Sequence, residues 1–118
     1  MQNFENLKKL GNRRVLVIDD EEFTLSALES ILRILKVNVD ESVDFAMSGK
    51  EALELVKKLQ KYDLRYCLIL TDIQMPGLNG IETAKLIRQF YIKSVGLSED
   101  LLPVIYGVSG HTEDDFKI

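Results

Sequence analysis

Three aspartates and a serine stand where apolar runs end. Asp19 and Asp20 follow Val15-Leu16-Val17-Ile18, Asp72 follows Leu68-Ile69-Leu70-Thr71, and Ser109 follows Val104 to Val108. Carboxylates on neighbouring strand ends repel one another by about 1 kcal/mol per pair at 4 Å in bulk water, and by more where water is partly excluded. A divalent cation relieves that repulsion. Hard oxygen ligands suit Mg2+, which keeps several waters and takes one or two carboxylates together with phosphate oxygens. Taken singly, Asp19 and Asp20 read as caps of a following helix and Asp72 as the start of a turn. Their joint placement favours the metal.

Positioning such groups requires a particular order of elements. Val15 to Ile18 is short, mostly β-branched and apolar on both faces, as in a central parallel strand. From Glu22, the residues Leu25, Leu28, Ile31, Leu32 and Leu35 recur at three and four, which predicts one buried helical face. Val43 to Ala46 reads as a second strand, and after Ser48-Gly49 the residues Ala52, Leu53, Val56 and Leu59 mark a second helix. Cys67 to Thr71 is a third strand. Ile81, Ala84, Ile87 and Tyr91 mark a third helix that leaves through Val95-Gly96-Leu97-Ser98, and Val104 to Val108, after Pro103, is a fourth strand. This β-α alternation predicts a parallel sheet with helices on both faces, because parallel neighbours need long right-handed crossovers. Ligands then bind at the carboxyl ends of the strands, where all four residues fall.

Composition narrows the class of protein. The chain has 118 residues, 46% hydrophobic and 29% charged, as in one ordinary globular domain able to fold without disulfide or metal. Its single cysteine, Cys67, excludes an internal disulfide and reads as a small core residue. The net charge of -4 without a basic stripe argues against nucleic-acid binding by this segment. No run is long and apolar enough for a membrane span or signal peptide, so the expected location is the cytoplasm, or the cytosolic part of a larger membrane-bound kinase. Lys57, Lys58 and Lys61 read as a solvated helix face, Tyr106 as packing, and His111 as a solvated loop residue.

The segments VLVIDDE (15 to 21), AMSGKEALEL (46 to 55), LILTDIQMPGLNGIE (68 to 82) and LPVIYGVSG (102 to 110) resemble, in order and spacing, the receiver domain of two-component response regulators. The resemblance implies a three-layer, flavodoxin-like doubly wound α/β sheet of strand order 2-1-3-4. It also implies that Asp72 accepts a phosphoryl group from a histidine kinase or a histidine phosphotransfer protein. Mg2+ would be held by Asp19, Asp20, Asp72 and the backbone carbonyl of Gln74, with the Ser109 hydroxyl as the switch and His111 and Gln74 flanking the site. Such a domain is a signalling module rather than an enzyme.

One departure stands out. The family carries a lysine at the end of a fifth strand, and Lys117 comes too early to be it. Residues 1-12 are expected to be an extension or linker, and 13-118 a receiver lacking its fifth strand and last helix-strand-helix portion, with a helix only begun at Thr112: either a fragment of a longer protein, or a natural truncation with an impaired site and a bare sheet edge. Two alternatives follow: a receiver-shaped interaction module that does not sustain phosphorylation, and an aspartate-nucleophile phosphatase. The phosphatase ranks last, because Gln74 stands where its general acid would be.

Overall fold

Four parallel strands set the frame: β1 (Val15–Ile18), β2 (Val43–Ala46), β3 (Leu68–Asp72) and β4 (Val104–Val108), lying side by side in the order β2-β1-β3-β4. The computed structural model describes residues 13–108 and 116–118. β1 lies inside the sheet and contributes to two apolar clusters, Leu16 and Ile18 on one face and Val17 on the other. Its uninterrupted apolar run is thus the signature of a strand buried on both sides.

One face carries two long helices. α3 (Gly49–Gln60) and α4 (Gly80–Gln89) bury Ala52, Val56, Leu59, Ala84 and Ile87 against Leu16, Ile18, Ile69 and Ile105. Both begin at a side-chain cap: the Ser48 hydroxyl accepts from Glu51 N at 3.0 Å, and Asn79 and Glu82 cap each other reciprocally at 2.8 and 3.1 Å. Each such cap contributes about 1 kcal/mol. After α4 the chain widens into a π-helical turn, Phe90–Val95, that places Tyr91 in the core. Gly96, at φ 85°, ends it in the left-handed region that favours glycine.

The opposite face is covered more thinly. α1 (Glu22–Ile34) packs Leu25, with Leu28 and Leu32 partly buried, over Val17 and Val43, and the one-turn helix α2 (Val39–Ser42) adds Val39. Ile31 and Leu35, expected on the buried face, are exposed. α1 lies toward the β2 side of the sheet, so only part of its apolar stripe finds a strand beneath it. Cys67 is also exposed rather than in the core; it precedes β3, where its thiol lies 3.2 Å from Arg14 O.

The sheet has a fifth strand. β5 (Phe116–Lys117) pairs antiparallel with β4, Lys117 opposite Tyr106 and Phe116 opposite Gly107. Seven residues separate β4 from β5, too few for a parallel crossover, so the returning chain can add only an antiparallel strand. The strand beside β4 is thus antiparallel, and the edge of β4 is partly paired rather than bare. The helix expected to begin at Thr112 lies outside the described residues.

A tight contact joins the two helices of the covered face. A Cβ on Gly49 would stand 2.1 Å from Thr83 Oγ1 and 2.9 Å from Leu78 Cβ, while the Thr83 hydroxyl donates to Asn79 O at 2.8 Å. Gly49→Ala is expected to destabilise the fold by about 1–3 kcal/mol, as overpacking does. In the double variant with Thr83→Ala the combined loss should fall below the sum of the single losses. Urea unfolding of the four chains measures this; strict additivity would show that the two residues do not press on each other.

Candidate functional site

The carboxyl ends of β1 and β3 bring the three aspartates together. Asp19 leaves β1 with its N–H on Ala46 O at 3.0 Å, and its Oδ1 accepts from Glu21 N at 2.9 Å at the entry to α1. Asp72 is the last residue of β3, opposite Val108 of β4. Its Oδ1 accepts from Gln74 N at 3.3 Å. The loop after it is pinned at both ends: Met75 is buried in the core, and Gly80 N donates to Ile73 O at 2.9 Å. A Cβ on Gly80 would stand 2.3 Å from Asp72 O, so α4 reaches the strand end only because residue 80 has no side chain.

One carboxylate oxygen from each of Asp19, Asp20 and Asp72 lies within 4.8 Å of the others. They line a cleft of about 320 Å³ with Glu21, Thr24, Gln74 and Val108. Glu21 and Thr24 were not singled out in the sequence; their position one turn apart at the head of α1, just after the Asp-Asp pair, was the available signal. Ser109 and His111 lie outside the described residues. The lysines of α3 are exposed, and Lys57 lies over the Phe90 ring at 5.7 Å, away from the acidic cleft.

Burial raises the pKa of both Asp19 and Asp72. For Asp19 the charges of Asp72, Asp20 and Glu21 add to that, against the Glu21 N–H. For Asp72 the N–H groups of Gln74 and Ile73 oppose burial, and the charges of Asp20 and Glu21 reinforce it. Among the described residues no lysine or arginine forms an ion pair with these aspartates. An oxygen-only donor set with excess negative charge at the mouth of a cleft fits Mg2+.

The raised values have a consequence for the metal-free protein. A carboxyl group with a folded pKa above its unfolded one holds its proton longer in the native state, so stability falls as pH rises from the ordinary value of 3.8 through the folded value. Asp19→Asn keeps an oxygen for Glu21 N and removes the charge. It is expected to be more stable than the parent chain at neutral pH in EDTA and to lose part of that pH slope. Denaturant titrations between pH 4 and 7 check this, and a variant less stable at every pH would contradict it.

An open, doubly wound α/β sheet with acidic groups gathered at its carboxyl edge defines the class of molecule. Within that class, the chain belongs to the response regulator receiver domain family, whose model matches residues 15–117. It is 37% identical over 95 residues to hybrid signal transduction histidine kinase E of Dictyostelium discoideum, covering 74% of this chain and 5% of that protein. It is 40% identical over 77 residues to a protein-glutamate methylesterase/protein-glutamine glutaminase of Methanococcus maripaludis, covering 65% of this chain and 19% of that protein. The chain thus spans a small part of these relatives. Among solved structures, the receiver domain of the histidine kinase CKI1 from Arabidopsis thaliana, complexed with Mg2+ and BeF3-, superposes with a TM-score of 0.68 at 30% identity, over 93% of this chain and 74% of that one. The protein is a receiver domain of two-component phosphorelay signalling, and no helix among the described residues is long and apolar enough to cross a membrane.

Proposed function

We propose that this receiver accepts a phosphoryl group on Asp72 from the phosphohistidine of a histidine kinase or a histidine phosphotransfer protein. The observation that carries the reading is the convergence of Asp19, Asp20 and Asp72 within 4.8 Å at the strand ends of a receiver-family chain. An Asp72 carboxylate oxygen attacks the phosphorus, the P–N bond to the donor imidazole breaks, and the imidazole leaves with its electron pair and takes up a proton. An acyl phosphate remains on Asp72. Mg2+, when bound by Asp19, Asp20, Asp72 and the Gln74 carbonyl, neutralises charge on the transferring oxygens. Gln74 N–H orients the Asp72 carboxylate, and the rigid end of β3 presents it. The Ser109 hydroxyl would then bond a phosphoryl oxygen as the switch.

In this reading the domain is not itself an enzyme and works in the cytoplasm or on the cytosolic side of a membrane-bound kinase, with residues 13–118 contributing to the receiver and residues 1–12 an extension or linker. One observation favours a second reading, a receiver-shaped interaction module that does not sustain phosphorylation: no cation among the described residues opposes the acidic cluster. Incubation with a small phosphodonor and Mg2+, reductive trapping and peptide mapping separates the two. Label on Asp72 supports the phosphoacceptor, and a folded, Mg2+-binding chain that takes up none supports the module.

A further inference from the structure

Glu21 is the acid of the cleft that the phosphoacceptor reading leaves without a task. It lines the cleft beside Asp19, Asp20 and Asp72, and Thr24, on the next turn of α1, lines it with them. The Glu21 backbone is fixed by its N–H, which donates to Asp19 Oδ1 at 2.9 Å. Its side chain is steered as well: the Thr24 hydroxyl donates to Glu21 Oε2 at 3.4 Å.

The two ordinary duties of an acid at a helix start do not account for it. Glu21 is the N-cap of α1, with φ -99° and ψ 112°, yet among the described residues its carboxylate caps none of the free N–H groups of the first turn. The charge that suits the positive end of the helix is already supplied by Glu22 in that turn. Glu22 stands apart from the cleft, in a hollow with Leu25, Ser26, Glu29 and Phe45 of β2. Of these two adjacent acids, one lies toward β2 and the other lies with the aspartates.

In the metal-free chain that placement is unfavourable, since the Glu21 charge acts on both Asp19 and Asp72 and adds to their repulsion. A group that opposes the fold locally, yet is held in place by Thr24, fits the needs of a ligand better than those of the fold. Mg2+ keeps several of its waters when it binds. A carboxylate beside the ligands can therefore act on the ion by its charge and accept from those waters without displacing a ligand.

We infer that Glu21 recruits the cation: from outside the ligand set, its carboxylate draws Mg2+ to the Asp19, Asp20 and Asp72 cluster and slows its escape. Phosphoryl uptake then saturates at a lower Mg2+ concentration than the three aspartates alone would allow. The inference rests on the phosphoacceptor reading for the metal and gives a role to a residue that reading does not use.

Amide shifts of the metal-free full chain, followed by NMR as Mg2+ is added, give the dissociation constant and show that each variant is folded. Glu21→Gln is expected to weaken Mg2+ binding about three- to tenfold at low ionic strength, as the loss of one unit charge near a divalent ion does in water. The difference should shrink toward none in about 0.5 M NaCl, which screens charges that are not in direct contact. Glu21→Asp, which keeps the charge, should recover most of the affinity. Glu22→Gln, adjacent in the chain but outside the cleft, should lose much less. Parental affinity in Glu21→Gln overturns the inference alone, as does an equal loss in Glu22→Gln or a loss that salt does not reduce. A parent chain whose amides do not respond to Mg2+ overturns the metal reading itself, and this inference with it.

Discussion

Asp72→Asn is expected to abolish phosphoryl uptake from a small phosphodonor while leaving the fold at least as stable as before. The amide is nearly isosteric and keeps an oxygen for Gln74 N, so the strand end and its loop hold their shape. It has no anionic oxygen to attack phosphorus, and the loss should be complete within the sensitivity of the measurement. Because burial and neighbouring acids hold the Asp72 carboxyl above its ordinary value, removing its charge also removes a strain that the native state bears at neutral pH. Asp19→Asn, by contrast, should slow uptake and raise the Mg2+ concentration needed for it. Intact-mass analysis after timed incubation reads both, with unfolding midpoints in EDTA alongside. Label that persists in the Asp72→Asn chain would move the nucleophile to another side chain.

Saturating Mg2+ is expected to raise the thermal midpoint by roughly 10 °C. A ligand at a hundred times its dissociation constant adds about 2.7 kcal/mol if it binds only the folded chain, and a domain of this size gains a few degrees per kcal/mol. The cluster exists only in the native state, since its members come from positions 19, 20 and 72. The shift should shrink as pH falls through the raised pKa values of Asp19 and Asp72, where protons displace the cation. The double variant Asp19→Asn, Asp20→Asn should show no shift. Differential scanning calorimetry with and without Mg2+ decides it: a midpoint that stays put in the folded parent chain removes the metal from the mechanism.

The sheet and the convergence of the aspartates were legible because each rests on a pattern of several residues. β1 and β4 are apolar runs bounded by turn residues, and α3 and α4 repeat at three and four, so element type and order followed directly. Asp19, Asp20 and Asp72 meet because parallel strands in register put their carboxyl ends at one edge. What the pattern could not show was how far each helix reaches across the sheet. Ile31 and Leu35 obey the same spacing as Leu25 yet are exposed, since periodicity marks an apolar face without saying what lies opposite it.

Short-range geometry escaped for a different reason. β5 has two residues and α2 has four, too few for any period to register. The Arg13, Asp44 and Tyr66 group joins positions distant in the chain: the Tyr66 hydroxyl donates to Asp44 at 2.5 Å and Arg13 pairs with Asp44 at 3.3 Å. Burial and this carboxylate push the Tyr66 pKa far up, keeping a neutral donor under β2. Cys67 was misplaced because residue type alone was used for a position set by the strand register beside Arg14.

The antiparallel β5 gives the outer edge of β4 a tenant of its own. It is held through Tyr106 and Gly107 and reinforced by Arg88, whose guanidinium donates to Ile118 O. Any other strand that would add to this edge must evict it. The connection to β4 is short, so the resident strand is present at an effective concentration on the order of millimolar. A strand arriving from another molecule therefore faces a competitor that dilution does not weaken. A strand delivered on a tether of comparable length would compete on equal terms, so geometry rather than bulk abundance selects which strand this edge accepts.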